Sequence, residues 1–361
     1  MEQSLFAQYV QRYFPILKTV IELINGRRKP LTYMHKGENA MLEMKYAPDN
    51  KWESASINAS NVAADVVAQD SELPLKSRHT LASSFGKLPK VGMKKNLKES
   101  DINTLNVMIA QGATDAEVAR KLADDAVACS VGVDEINEYN FLYGLSNGYM
   151  GIKNEEGAEN TLLRFNFNYL AENTFGATTK NKLTLADIKS VITKADGDGN
   201  SIIRVMIAKS AFDALRQTDE AKALVANYKG TVYSDVANLP VPSATAFNEA
   251  FADDNNGITF QVVDRSIRIE KNGKYTAVKP WNANHLIFIC NDVVGSLVYG
   301  RLAEQSNPAK NVDYQLVDNY KLISKYSKTD PLIETTAVQA FVAPIIEDVD
   351  QIYMLDYSVK K

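Results

Sequence analysis

The sequence predicts an α+β fold whose parts are strung along one long helix, and three stretches predict it. Residues 114 to 148 carry a single helical pattern. Residues 52 to 98 read as a long charged hairpin with little apolar core of its own. Residues 183 to 310 switch to short buried strands alternating with amphipathic helices.

The helical stretch organises the rest. Thr114 and Glu117 have the spacing of a capping box, in which the Thr hydroxyl takes the Glu backbone N–H and the Glu carboxylate reaches back to the Thr N–H. Val118, Leu122, Ala126, Cys129, Val133 and Ile136 recur every three or four residues as one apolar stripe, while Asp124, Asp125, Asp134, Glu135 and Glu138 fall off it. Asn147-Gly148 is a left-handed stop. At 1.5 Å per residue the helix runs roughly 50 Å, too long for an ordinary compact domain to wrap. Gly132 costs about 1 kcal/mol against Ala and is the place for a bend.

Length and composition narrow the function. The 361 residues hold two or three domains or one elongated fold, and 45% hydrophobic content supplies a real core. A net charge of -4 argues against a protein that coats nucleic acid tightly. The two cysteines, Cys129 and Cys290, both lie in apolar surroundings and read as small buried hydrophobes rather than a disulfide framework. No stretch has the length and apolarity of a membrane span, and the amino terminus has no signal-peptide pattern, so the expected folding compartment is reducing cytoplasm.

In chain order, residues 4 to 24 form an amphipathic stripe of Phe6, Tyr9, Val10, Tyr13, Phe14, Leu17, Val20, Ile21 and Ile24, interrupted by Pro15, which predicts a kink or two short helices. Three readings stand: a packed surface helix, a membrane-surface helix, or an arm lying on a neighbouring subunit. In the 52–98 hairpin the first arm carries Asp65, Asp70 and Glu72. The tip and return arm carry Lys76, Arg78, Lys87, Lys90, Lys94, Lys95 and Lys98. The lysines read either as a solvated face or as a ribbon lying on another copy; a long two-stranded ribbon is marginal alone in water.

A short helix from Ser100 to Gln111 precedes the long one, and Tyr149–Lys153 and Leu162–Tyr169 follow it as a hairpin. In the 183–310 block, helices are expected around 185–192, over 210–216 and 219–228, and from a Ser243 cap through Phe251. Strands are expected at 202–207, 258–263, 267–270 and 286–290. The carboxyl-terminal part returns to strands at 320–327, at 332–342 with Pro344 as a break, and at 349–355.

Chemistry-bearing patterns are weak. Asp196, Asp198 and Asn200 imitate the start of a calcium loop, but Ser201 stands where Gly is needed and Ile207 where a bidentate Glu is needed. His35, His79 and His285 are scattered and carry no partner signal. There is no phosphate-cradling glycine loop and no metal-spaced His/Cys set. The sequence therefore nominates no catalytic, cofactor-binding or metal-binding residue.

The order of parts resembles tailed-bacteriophage major capsid proteins with the Hong Kong 97-like fold, within it the lambda-like major capsid protein E family. The stretches that carry the likeness are Ala64-Asp65-Val66-Val67 through Leu73-Pro74-Leu75-Lys76-Ser77-Arg78, Leu88-Pro89-Lys90-Val91-Gly92-Met93 leading to Glu99-Ser100-Asp101-Ile102, and Glu138 to Gly148. Near the end they are Ser327-Lys328-Thr329-Asp330-Pro331, Val338-Gln339-Ala340 and Pro344. The resemblance covers almost the whole chain. It implies an N-terminal arm at 1–51, an extended E-loop hairpin at 52–98, and a P-domain at 99–182 with the spine helix and 311–361 as closing strands. It also implies an α/β A-domain at 183–310.

The same resemblance implies a non-enzymatic, self-assembling subunit of hexamers and pentamers in an icosahedral or prolate shell, built in the bacterial host cytoplasm. The shell would enclose double-stranded DNA that it contacts weakly and without sequence specificity. A portal, a separate scaffolding protein and in some relatives a decoration protein are the implied partners; no membrane and no cofactor are. In such a shell the inter-subunit contact candidates are Lys87, Lys90, Lys94 and Lys95 against Glu135, Glu138, Glu155 or Glu156, with Phe6, Phe14 and Leu17 on the arm. Two other classes remain on the sequence alone: an encapsulin-like compartment shell, and an enzyme with its site in the 183–310 lobe.

Overall fold

The computed structural model describes residues 2–13, 32–38, 40–57, 81–153, 161–271 and 273–360. They belong to two compact units, one of Met1–Trp52, Phe85–Tyr139 and Ser296–Pro344, the other of Glu53–Ser84, Asn140–Gly295 and Ile345–Lys361.

The spine helix is Asp115–Asn147, 33 residues, and contributes to both units. The glutamate half of its capping box forms: the Thr114 N–H donates to the Glu117 carboxylate at 2.8 Å. The hydroxyl half differs, because the Thr114 hydroxyl also donates to that carboxylate, at 2.9 Å, and the Glu117 N–H goes to the Thr114 carbonyl. Gly148 ends the helix at φ +72°, its N–H returning to the Gly144 carbonyl. Gly132 interrupts nothing. A side chain there would collide with the Met93 sulfur, so the glycine admits a neighbouring strand rather than a bend.

In the first unit a six-stranded sheet runs in the order Leu42–Ala47, Gly295–Gly300, Leu332–Ile346, Lys321–Thr329, Asp313–Val317, with Lys90–Lys98 also paired to Leu332–Ile346. Lys90–Lys98 is antiparallel to its partner from Lys98↔Ile333 to Lys90↔Phe341. The stretch expected as one hairpin therefore divides. The described ribbon is Lys51–Ile57 with Leu81–Lys87, while the last strand leaves it after Leu88-Pro89 and joins the sheet. The alternating Val91, Met93 and Leu97 explain why, since they give this strand an apolar face. Met93 lies on Gly132, and Leu97 packs on the cluster of Phe6, Ile102, Leu105, Val118 and Leu122.

Pro344 does not break its strand. The ladders with Lys321–Thr329 and Lys90–Lys98 end at Gln339 and Phe341, and the strand runs on past the proline to Ile346 beside Gly295–Gly300.

In the second unit a five-stranded sheet runs Thr174–Ala177, Ile352–Lys360, His285–Ile289, Arg204–Ala208, Thr259–Val263. Arg204–Ala208 and Thr259–Val263 are parallel, as are Ile352–Lys360 and Thr174–Ala177, and His285–Ile289 is antiparallel to both its neighbours. The helices Leu185–Gly197, Lys209–Arg216, Asp219–Tyr228 and Ala244–Asp254 belong to it, three of them capped by Thr184, Thr218 and Ser243. Phe212, Phe247, Phe251 and Phe260 stack into its aromatic core with centroids 4.7–6.2 Å apart. The imitation calcium loop is structural: Asp198 is paired with Lys194, and Asn200 donates to the Tyr353 hydroxyl. Two hairpins, Tyr149–Lys153 with Thr161–Asn166 and Ile267–Lys271 with Lys274–Val278, form separate two-stranded sheets.

Candidate assembly surfaces

The spine helix presents a row of acids in the first unit, and the chain's own residues take them. Tyr33 donates its hydroxyl to Glu135 at 3.0 Å. The Met34 N–H and the His35 N–H both donate to the Glu138 carboxylate, and His35 Nδ1 lies 2.6 Å from it. Lys36 meets Asp134 at 2.6 Å. Four consecutive residues are thus clamped along the helix. Glu138 is 1% exposed and cannot serve as an acidic patch for another subunit, which corrects that expectation. The amphipathic stripe failed to show this because an acid off the stripe is normally solvated; here a polar segment covers it.

Beside the clamp lies a buried charge cluster. Lys321 reaches Asp134 at 2.6 Å, Asp318 at 2.8 Å and the Ser130 hydroxyl at 3.3 Å, and Lys36 reaches Asp318 at 3.6 Å. Burial alone would lower the pKa of Lys36, but Asp134 and Asp318 override it and leave it raised. Burial would raise that of Asp318, and Lys321 with Lys36 instead holds it below the usual carboxylate range. Farther along the strand, Lys325 is buried against the Thr336 hydroxyl, and desolvation pulls its pKa down against the opposing field of Glu334. None of these residues was nominated from sequence. Lys321 and Lys325 alternate with Ile323 on the inward face of a strand, where a lysine is an anti-signal for burial.

The amino-terminal segment is anchored in the same unit. Glu2 exchanges backbone hydrogen bonds with Ser327, the Ser4 hydroxyl and the Leu5 N–H donate to Glu334, and Phe6 is buried. For Phe6 the arm reading is corrected, since its pocket is in its own chain. Phe14, Leu17, Glu155 and Glu156 lie outside the described residues.

The return-arm lysines split by strand alternation. Lys95 faces the spine helix, 3.8 Å from Asp125. Lys90, Lys94 and Lys98 share the opposite, exposed face, and Lys87 is exposed at the end of the preceding strand. Cys129 is buried as expected, its thiol pushed up to about 11 by desolvation; Cys290 is only half-buried, which departs from the buried reading, and desolvation pushes its thiol up to about 12. His285 is packed, its Nδ1 donating to the Ser146 carbonyl and its Nε2 3.3 Å from Asp356. Among the described residues no cluster of His, Cys, Asp or Glu has the arrangement of a metal centre, and no helix is long and apolar enough to cross a membrane.

Solved structures were found that are similar to this chain. A prophage protein of Escherichia coli CFT073, assigned as a capsid protein, matches with a TM-score of 0.53 at 12% identity, covering 88% of this chain and 91% of that one. The cyanophage A-1(L) capsid protein matches at 0.45 and 12% identity over 88% and 91%, and the Pyrococcus furiosus virus-like particle protein at 0.43 and 9% over 95% and 99%. No curated protein matches the sequence. The fold is that of a Hong Kong 97-like capsid shell protein. Residues 32–331 match the model of phage major capsid protein E, and the chain belongs to that family. Its role is to form a capsid shell from many copies of itself, and its place is the virion capsid.

Proposed function

We propose that the chain closes into hexamers and pentamers of an icosahedral or prolate shell around the double-stranded DNA of a tailed phage, in the cytoplasm of a bacterial host. The observation that carries this reading is the family match across 32–331, which takes in the spine helix, the charged hairpin and the α/β lobe together. The parts then take the family's roles: arm at 1–51, E-loop at 52–98, P-domain at 99–182 and 311–361, A-domain at 183–310. A portal, a scaffold and a decoration protein are the further partners. The subunit is structural and does no chemistry. Its net charge of -4 suits a shell that encloses DNA without gripping it.

Electron microscopy of the purified full-length protein tests the reading. Closed shells of regular size are expected, with hexagonal and pentagonal clusters on their surface. Particles no larger than a dimer under all conditions, or shells filled with an enzyme cargo and no route for DNA, would overturn it.

A further inference from the structure

Alternation divides the paired strands Lys90–Lys98, Leu332–Ile346, Lys321–Thr329 and Asp313–Val317 into two faces. One face lies on the spine helix. Glu334, Thr336, Val338 and Ala340 are buried there, and Lys95 is answered by Asp125 at 3.8 Å and Lys321 by Asp134 at 2.6 Å. On the other face Lys98 stands opposite Ile333, Lys94 opposite Ala337 and Lys90 opposite Phe341, with Lys328 on the far side of Ile333. The four lysines are exposed and the three apolar residues are half-buried. The strands carry no aspartate or glutamate on this face, and among the described residues none of the four ammonium groups meets a carboxylate. Glu304 reaches the face from outside the sheet, but it accepts the Gln339 amide at 2.6 Å. Asp124, exposed on the spine helix, belongs to the layer on the opposite side.

We propose that this open face is the docking surface for an acidic amphipathic helix of a partner protein. Its carboxylates would meet Lys90, Lys94, Lys98 and Lys328, and its apolar stripe would cover Ile333, Ala337 and Phe341. The sheet already holds one helix in this way, since the spine sets Asp125 and Asp134 on the lysines of the other face. The dimensions agree. From Lys90 to Lys98 the row runs about 27 Å, and the four strands lie about 14 Å across, room for one helix of about 18 residues.

Duplex nucleic acid fits less well, because its phosphates would press on the apolar residue that stands opposite each lysine of the row. A separate protein is favoured over a further copy of this chain because lysine is depleted in the interfaces that hold subunits together. A contact made through exposed charge forms fast and is released by salt.

Fluorescence anisotropy of the full-length, unassembled subunit tests it. The probe is a labelled peptide of about 18 residues with Glu and Leu at helical spacing. A control peptide has Gln for every Glu, and a short DNA duplex is the third probe. The acidic peptide is expected to bind at least about tenfold tighter than its control and to weaken toward 1 M salt, where the Debye length is about 3 Å. The variant Lys90→Gln, Lys94→Gln, Lys98→Gln, Lys328→Gln, shown to be folded by circular dichroism, is expected to lose about tenfold or more in affinity for the acidic peptide. Carbodiimide coupling to wild type needs no variant; mass spectrometry is expected to find the peptide's Glu joined to these lysines.

No binding of the acidic peptide, equal binding of its Gln control, or coupling that maps elsewhere overturns the proposal. So does a duplex bound more tightly than the acidic peptide and lost in the lysine variant, which makes the face a nucleic-acid surface. If the folded lysine variant fails to form shells where wild type forms them, the face joins copies of this chain and the proposal falls. Binding is read on the unassembled subunit, so a failure of wild type to form shells strikes the shell reading alone.

Discussion

His35 and Glu138 form a buried pair, Nδ1 to carboxylate 2.6 Å, with 0% and 1% of their side chains exposed. The same carboxylate accepts the Met34 and His35 backbone N–H groups, so one spine residue fixes the point where residues 32–38 enter the first unit. Removing it strands two backbone donors and a ring nitrogen. Glu138→Ala is expected to cost about 3–5 kcal/mol, and Glu138→Gln less, because an amide oxygen still accepts. Urea unfolding of the unassembled subunit measures both; equal, near-zero losses would show that the clamp contributes nothing.

Asp318 makes the subunit acid-sensitive. Its pKa is held below the ordinary value by Lys321 and Lys36, so the unfolded chain takes up its proton first as pH falls. Its contribution is full above the unfolded pKa of about 4 and is lost as pH drops through the folded value. Asp318→Asn is expected to flatten the stability profile below about pH 4. An unchanged profile would place the acid response elsewhere.

The cysteines act at the other end of the scale. With thiols raised to about 11 and about 12, the folded subunit keeps protons that the unfolded chain releases near pH 9. Stability from these groups is present below that pH and declines as pH rises toward the folded values. The double variant Cys129→Ala, Cys290→Ala is expected to lose less stability than wild type between about pH 9 and pH 11. Neither thiol should react with a disulfide reagent at about pH 8 until the protein unfolds; prompt labelling of the folded subunit would contradict the burial argument.

Glu334 holds the amino terminus. Glu334→Ala is expected to speed hydrogen exchange at the Leu5 amide by more than about tenfold, through loss of its acceptor, while the central sheet amides stay protected. Uniform loss of protection would mean that the carboxylate supports the sheet rather than the segment.

Most elements were legible because their signals are local. The spine helix, the Ser243-capped helix and the strands of the α/β lobe follow from caps and periodicity within a dozen residues. What was not legible depends on distant partners. Lys90–Lys98 looks like half of a hairpin until Leu332–Ile346 is available to pair with it. The strand Gly295–Gly300 hides between a polar turn and a Pro-containing loop. Glu138 and Lys321 read as solvent-facing charges because their partners lie 103 and 187 positions away in sequence. Of the proposed contact residues, Lys87, Lys90 and Lys94 are exposed and Lys95 faces Asp125, while Glu138 lies buried beneath residues 33–36.

The amino-terminal anchor also sets an order in time. Ser4 and Leu5 are synthesised well before the carboxylate that receives them, which belongs to Glu334, 330 positions after Ser4. At roughly 5–20 residues per second a ribosome needs on the order of half a minute to close that gap. The Phe6 pocket is built earlier, from residues near 102 to 122, but the seat for the residues ahead of it is finished only when the strand Leu332–Ile346 emerges. A nascent chain therefore cannot complete its amino-terminal anchor before its closing strands exist, and a truncated product lacking them leaves that end unfastened.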